Sequence, residues 1–393
     1  MNGALINDTV LIFAVILGIT AFGMFAEKKW RWAGMLSGMG VSIFLALLLT
    51  SLHILPTASP ACDVVFDYIM PLGIPLVLIQ ANAKRIVKES GRAFLLMNIA
   101  CVGALVGGIL VGLIFQNTGF FGEDLAGYVA MEVGVCTGGT MNQAAMAKTF
   151  NVSPDVASAA AVGSNLVAVM FLVAIGMIPN IKFFQEKFKH PHMDELAEGK
   201  TIEVAAQAQT SQYSIAGLAK LLTFTFTVVG VSNLFCNFMG TLGLPTVLSM
   251  LSTNSFLISS LLTLATVTFF PKFADSLRFG EEIGSFMLLM FMTVMGTGAS
   301  IIEVLKFAPI IVIAEIIVTL AIMVITLTIT KLFKMNLEEA LIAINASYGG
   351  PATAAAYIGS KGWQRLMVPA ILIGVYGYIV GNVFGIIAGN LFL

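Results

Sequence analysis

Two apolar stretches of this chain are each interrupted by a pair of glycines, and the two interruptions are in register. One runs from Val133 to Ala145 around Gly138-Gly139, the other from Ile344 to Ile358 around Gly349-Gly350. Gly138-Gly139 matches Gly349-Gly350, Ala144-Ala145 matches Ala355-Ala356, and Gly163 matches Gly374, all at one offset of 211 residues. Breaking a helix frees backbone N–H groups on one side and C=O groups on the other. Inside a bilayer such groups are tolerated only within protein or around a wet cavity. A pair of Gly-interrupted apolar segments at corresponding places in two halves therefore points to a transporter binding site. The alternative is that the glycines only let two helices pack closely, as small residues do in membranes; two cases in register favour the site.

The rest of the chain fits a bilayer. Of 393 residues, 58% are apolar and only 10% charged, against roughly a quarter charged in soluble domains. Runs of about 20 apolar residues, enough to span, fall near 8–26, 33–53, 63–83, 93–115 and 155–179, and again near 216–237, 246–270, 282–302, 308–330 and 366–391. The expectation is an all-α, polytopic membrane protein of two inverted-topology repeats. Residues 1–180 form the first repeat, 181–213 a polar cytoplasmic linker, and 214–393 the second repeat. Ala81-Asn82-Ala83 also lines up with Gly296-Thr297-Gly298, at an offset of 215. No Lys or Arg precedes the first apolar run, so it reads as a retained helix and not a signal peptide. Cys62, Cys101, Cys136 and Cys236 have no paired spacing and read as core residues. The net charge of −1 argues against a nucleic-acid partner.

Lys and Arg accumulate on the cytoplasmic side of membrane proteins. If both Gly-Gly segments cross the membrane and the N-terminus lies outside, 11 basic residues fall inside and 9 outside. If both are re-entrant hairpins that turn back at Gly-Gly, the split becomes 18 to 2, with only Lys148 and Lys306 outside. That arrangement has five crossings per half, inverts the second half and puts both termini outside. Hairpins and broken spanning helices both remain open on the sequence alone.

The residues beside the breaks suit substrate and ion binding. Thr137, Gly138, Gly139, Thr140 and Asn142 in one half, with Tyr348, Gly349, Gly350 and Thr353 in the other, are the candidate substrate-binding set. None carries a permanent charge, as expected where a substrate must both bind and leave. A free helix N-terminus attracts anions such as carboxylates. Glu132, Gln143, Asn345 and Ser347 are the candidate ion-binding set, for sodium or a proton. Glu132 precedes Cys136 by one helical turn, and an intramembrane carboxylate is a functional candidate by default. Glu315, in Ile313-Ala-Glu-Ile-Ile, is a second one, with Ala100 at its counterpart position. No spanning segment has a His in its middle for a serine protease, and no His-Glu-x-x-His helix exists for zinc. The chain does not read as an enzyme, and no cofactor is expected beyond the coupling ion.

Gly134-Val-Cys-Thr-Gly-Gly-Thr-Met-Asn142 resembles the Gly-x-Cys-Pro-Gly-Gly-x-x-Ser-Asn break of bile acid:sodium symporters. Ser347-Tyr-Gly-Gly-Pro-Ala-Thr-Ala-Ala-Ala356 looks like the Gly-Gly hairpins of glutamate:sodium and citrate:sodium symporters. End to end, the chain is similar to the YjcL-like family of bacterial membrane proteins, grouped with these in the cation:proton antiporter and anion transporter superfamily. Thr137 stands where the bile acid pattern has Pro, and Met141-Asn142 where it has Ser-Asn. Thr140 and Pro351 follow the glycines where glutamate carriers have His-Gly, so no substrate is carried over. The resemblance implies an inverted-repeat carrier, often a homodimer, with a mobile core and a scaffold. The expected function is a secondary active transporter of the cytoplasmic (inner) membrane. It would move a small organic anion, amino acid or short peptide by symport with sodium or protons. The alternative is a cation:proton antiporter of the same superfamily. That chemistry wants Asp or Glu in the helix after the break, and Val156 to Met177 has none.

Overall fold

The computed structural model describes residues 4–79, 82–197, 215–242, 244, 246–274, 276–277, 279–299 and 301–393. Ala81 and the second part of the linker lie outside the described residues. The regular elements are helices, joined by one isolated bridge between Lys189 and Asn336. In the first half they are α1 (Thr9–Lys29), α2 (Arg31–Ser51), α3 (Pro60–Val64), α4 (Met70–Leu78), α5 (Ala83–Glu89), α6 (Gly91–Phe115), α7 (Leu125–Gly138), α8 (Thr140–Thr149) and α9 (Pro154–Met177). Two short helices follow, α10 (Lys182–Lys187) and α11 (Pro191–Ala197). The second half holds α12 (Ile215–Gly240), α13 (Thr246–Thr253), α14 (Ser255–Phe269), α15 (Pro271–Ala274), α16 (Gly280–Gly298), α17 (Ile301–Leu332), α18 (Leu337–Lys361) and α19 (Met367–Asn390). Among the described residues, seven helices are long and apolar enough to cross a membrane, and three shorter apolar ones accompany them. The chain is thus a multi-pass helical membrane protein, with large apolar side chains such as Leu234 and Val324 on its outer surface.

Local chemistry sets the helix starts. Asp8 accepts from Leu11 N to cap α1, and Ser59 accepts from Cys62 N to cap α3, with Pro60 at the first helical position. Such side-chain oxygens satisfy N–H groups that have no intrahelical partner. Pro71 lacks the N–H that would continue the ladder, and a π-helical turn, Val65–Ile69, joins α3 to α4 just before it. The apolar run at 246–270 reads as one span in the sequence but is two helices. Asn254 takes an extended conformation, accepts from Leu257 N and so starts α14 afresh. Its amide nitrogen donates to Thr149 Oγ1 at the end of α8 (2.9 Å).

Two groups of helices result. One comprises α6, α7, α8, α17, α18 and α19, with α9 packed on α17; the other comprises α1, α2, α4 and α16, with α12 and α14 beside α4. Helix α4 crosses α16 where Gly73 faces Gly284, so that a Cβ on Gly284 would lie 2.7 Å from Gly73 O. Helix α6 crosses α17 where a Cβ on Gly107 would lie 2.7 Å from Val318 Cα.

The loops gather at two ends. At one, Lys148 pairs with Asp67 (3.0 Å), Leu5 N donates to His53 O, and the rings of Phe121 and Phe307 stack near Lys306. At the other, the described part of the linker is docked. His192 N and Met193 N donate to Glu338 Oε1 (2.9 and 3.0 Å), and Arg365 pairs with Glu195 (2.7 Å).

The α6–α17 crossing gives a direct test. Gly107→Ala puts a methyl group into the backbone of α17, and overpacking of this kind costs about 1–3 kcal/mol. The expected outcome is a lower unfolding temperature in detergent. Gly176→Ala, where nothing lies within 4 Å of the added carbon, leaves the temperature unchanged or slightly raised.

Candidate functional site

Helices α7 and α8 form a hairpin. A Cβ on Gly134 would lie 3.2 Å from both Asn142 O and Met146 Cγ, and one on Gly127 would lie 2.3 Å from Val152 Cγ2. Asp124, just before α7, accepts from Ser153 N (3.0 Å) and Ser153 Oγ (2.5 Å), just after α8. Entry and exit are therefore at one end, and the chain turns back at Gly139. Gly139 has φ 74° and ψ −170°, a region essentially reserved for glycine.

The second segment turns the same way. Within α18 the helix is broken at Gly350, with φ 74° and ψ −168°. Thr353 Oγ1 donates to Asn345 Oδ1 at 2.9 Å. Eight residues of straight helix span about 12 Å, so this contact requires the chain to fold back. The contact of Asn345 with Thr353 repeats that of Gly134 with Asn142, 211 residues on.

The two tips face each other across α19. A Cβ on Gly139 would lie 3.9 Å from both Tyr348 O and Tyr378 Cε1, and one on Gly350 would lie 3.0 Å from Tyr378 Oη. Helix α19 runs along the first hairpin through Gly377, Gly381, Gly385 and Gly389, at four-residue spacing, and meets the second at Gly374 against Pro351. This small-residue stripe is visible in the sequence as a helix-packing signal. Tyr378, which stands between the two breaks, carried no such signal.

The sequence-predicted residues separate into two places. At the tips, Thr137 Oγ1 donates back to Val133 O (2.7 Å), and Ser347 Oγ to Ile344 O (3.0 Å). Oriented to satisfy both its groups, the Asn142 amide donates to Tyr378 O (3.0 Å) and accepts from Asn382 N (3.2 Å). Thr140 is partly open and follows Gly139 at the start of α8. The candidate ion-binding set does not stay together. Asn345 joins Thr353 at the second break, whereas Glu132 and Gln143 lie with Glu315.

That second place is a buried polar cluster joining α7, α8, α9, α17 and α18. Glu315 accepts from Cys136 Sγ (3.6 Å), Ser164 Oγ (3.2 Å) and Tyr348 Oη (2.5 Å). Tyr348 Oη also lies 2.8 Å from Ser164 O, and Gln143 Nε2 donates to Ser164 Oγ (3.1 Å). Ligand atoms of Glu132, Cys136 and Glu315 all lie within 4.8 Å of one another, and all three residues are buried. Ser164 was not singled out in the sequence. A serine in an apolar helix reads as interhelical glue there, and only the fold brings it to Glu315.

The four cysteines are buried, as expected of core residues. Residues 14–393 match the model of the family described as "Protein of unknown function (DUF819)". The chain is 31% identical over 389 residues to "Uncharacterized membrane protein YjcL" of Bacillus subtilis (strain 168), covering 98% of this chain and 97% of that one. Whole-length agreement of both kinds places the chain in the DUF819 family of membrane proteins.

Proposed function

We propose that the chain is an ion-coupled secondary transporter of the cytoplasmic membrane. It takes a small organic anion, amino acid or short peptide where the two hairpin tips meet. The observation that carries this reading is the pair of fold-backs at Gly139 and Gly350, with nearly equal backbone angles and tips turned toward one another. Three pairs of residues 211 apart support an internal two-fold relation: Gly73 with Gly284, Gly107 with Val318, and Gly139 with Gly350 on either side of Tyr378. Each half then contributes five crossings, α1, α2, α3–α4, α6 and α9 against α12, α13–α14, α16, α17 and α19, and the odd number inverts the second half. The hairpins enter from opposite faces. Lys148 and Lys306 mark the outer end, while the docked linker, Lys361 and Arg365 mark the cytoplasmic one.

Chemistry at the tips fits this role. The start of α8 at Thr140 turns the positive end of a helix dipole toward the gap. Thr137, Thr140, Asn142, Tyr348 and Thr353 carry no formal charge that would trap a charged substrate. The reading extends the likeness to bile acid and glutamate symporters. It involves no catalysis and no cofactor beyond the coupling ion. One observation favours a cation:proton antiporter as the second reading: two carboxylates, Glu132 and Glu315, meet in the helix core although the helix after the break has none.

Uptake of a metabolite panel into proteoliposomes, under an imposed sodium or pH gradient, tests the assignment. Gradient-driven uptake of an organic solute is expected. Gly139→Leu and Gly350→Leu abolish it while leaving the protein in the membrane, because a side chain at these backbone angles costs about 1–3 kcal/mol. Full uptake in both variants, or cation exchange with no organic solute moved, sinks the symporter.

The topology is tested separately. A single Cys at Gln207, in the linker beyond the described residues, stays unlabelled by an impermeant maleimide in intact cells and labels after permeabilisation. Labelling from outside contradicts the inverted arrangement.

A further inference from the structure

One carboxylate in the membrane interior makes no well-formed hydrogen bond. Glu132 has 0% exposure, and neither of its side-chain oxygens has a hydrogen bond among the described residues. Its neighbour Glu315, equally buried, has three donors turned toward it, from Cys136, Ser164 and Tyr348. An ionised carboxylate left bare in an apolar interior costs several kcal/mol after relaxation, and a second carboxylate within 4.8 Å adds repulsion. Hydrogen-bond donors stabilise the ionised form of the group they point at. Three donors point at Glu315 and only the Tyr128 hydroxyl, one turn away on α7, faces Glu132, so negative charge is held better at Glu315 and Glu132 is the group that must carry something positive.

We infer that Glu132 and Glu315 form a proton-binding pair, in which the Glu132 carboxyl holds the proton and donates it as a hydrogen bond to the Glu315 carboxylate. As the coupling site, the pair rests on the transporter reading; as a proton site, it stands on its own geometry. A proton suits the site better than sodium. Two of the oxygens that a sodium ion would need, Asn345 Oδ1 and Ser347 Oγ, are engaged at the second hairpin. The other atoms against the carboxylates are the Cys136 thiol, a poor ligand for a hard cation, and the Ser164 and Tyr348 hydroxyls, which already donate to Glu315. The titratable groups facing Glu132 are Tyr128 and Cys136 on its own helix, Glu315 on α17 and Tyr348 on α18. Tyr128 Oη and Gln143 Oε1 are also buried without partners, one on each arm of the first hairpin. Releasing the proton to water leaves two facing carboxylates with no counter-charge, a state that calls for reloading.

The pair links the halves directly. Glu132 and Cys136 belong to the first hairpin, Glu315 to α17, and Tyr348 is two residues from the break at Gly350 in the second. Protonation at Glu132 therefore acts on both tips through one contact set.

Infrared spectroscopy of purified protein in lipid nanodiscs, with carboxyl-labelled 13C-glutamate, reads the proton without requiring transport or reagent access. At neutral pH the wild type shows the C=O stretch of a protonated carboxylic acid, shifted by the label. Glu132→Gln removes that band; Glu315→Gln keeps it at a shifted frequency. A spectrum unchanged by Glu132→Gln overturns the proposal. So does a band that sodium, but not potassium at equal ionic strength, converts to carboxylate, which makes the pair a sodium site. Uptake separates the two readings. A band assigned to Glu132 in a protein that transports nothing leaves the proton site standing and removes the transporter. Transport driven by a pH gradient at an unchanged rate in Glu132→Gln removes the coupling role.

Discussion

Lipid cannot hydrogen-bond to a peptide group, so backbone that departs from a helix at membrane depth must be sheltered by protein. Gly139 and Gly350 make that departure in a conformation that an added Cβ would strain. Much of the packing around them provides the shelter. Helix α19 lies along the first hairpin because Gly377, Gly381, Gly385 and Gly389 let its backbone approach, and Gly374 does the same beside Pro351. Tyr378 fills the space between the breaks.

Each hairpin is also closed at its base. Asp124 ties the two arms of the first through Ser153. The second is held through the linker, where Glu338 accepts two backbone N–H groups of α11 and Glu195 of the same helix pairs with Arg365. A hydrogen bond to a charged group is worth about 1.5–3 kcal/mol, enough to define where the arms start. Nearer the tips, Thr137 and Ser347 bond to their own helices and Asn142 to α19, while Tyr348 reaches Glu315 on α17. Rigid bases and polar, uncharged tips leave the tip as the part of each hairpin best suited to respond to a ligand.

The helices, their membrane character and the place of both breaks were legible because they depend on local signals: runs of apolar residues, proline, and glycine pairs in register. The change at Asn254 was missed because an Asn within an apolar run looks like a tolerated polar residue until its side chain is seen capping α14. Fold-back at the glycines was visible only indirectly, through the distribution of Lys and Arg; Gly134 against Asn142 and Thr353 bonded to Asn345 give it directly. Glu132 and Glu315 each stood out as intramembrane acids, but they are 183 residues apart. No periodicity reports that α7 and α17 bring them together. The same distance hid Ser164 and Tyr378, whose roles exist only in the assembled core.

The offset of 211 relates positions in the helix frame of this protein, but not its distinctive chemistry. With Gly107 meeting Val318, the offset at the α6–α17 crossing is 211, and the counterpart of Glu315 becomes Ala104, not Ala100. Glu132 corresponds to Ala343, and Tyr378 to Val167. Both carboxylates of the buried cluster and the tyrosine of the tip junction thus fall on a small or apolar residue in the other half. In the proposed inverted repeat, the paired glycines supply two equivalent hairpins, which a carrier needs in order to open alternately to either side. In the same proposal, a single charged site placed off the two-fold relation serves both openings, because it touches both hairpins. Two symmetric copies of Glu132 and Glu315 would bury four acids in the same core, at a desolvation cost of several kcal/mol per ion. One asymmetric pair is the arrangement that keeps the hairpins equivalent in shape while limiting the buried charge to what one proton can hold.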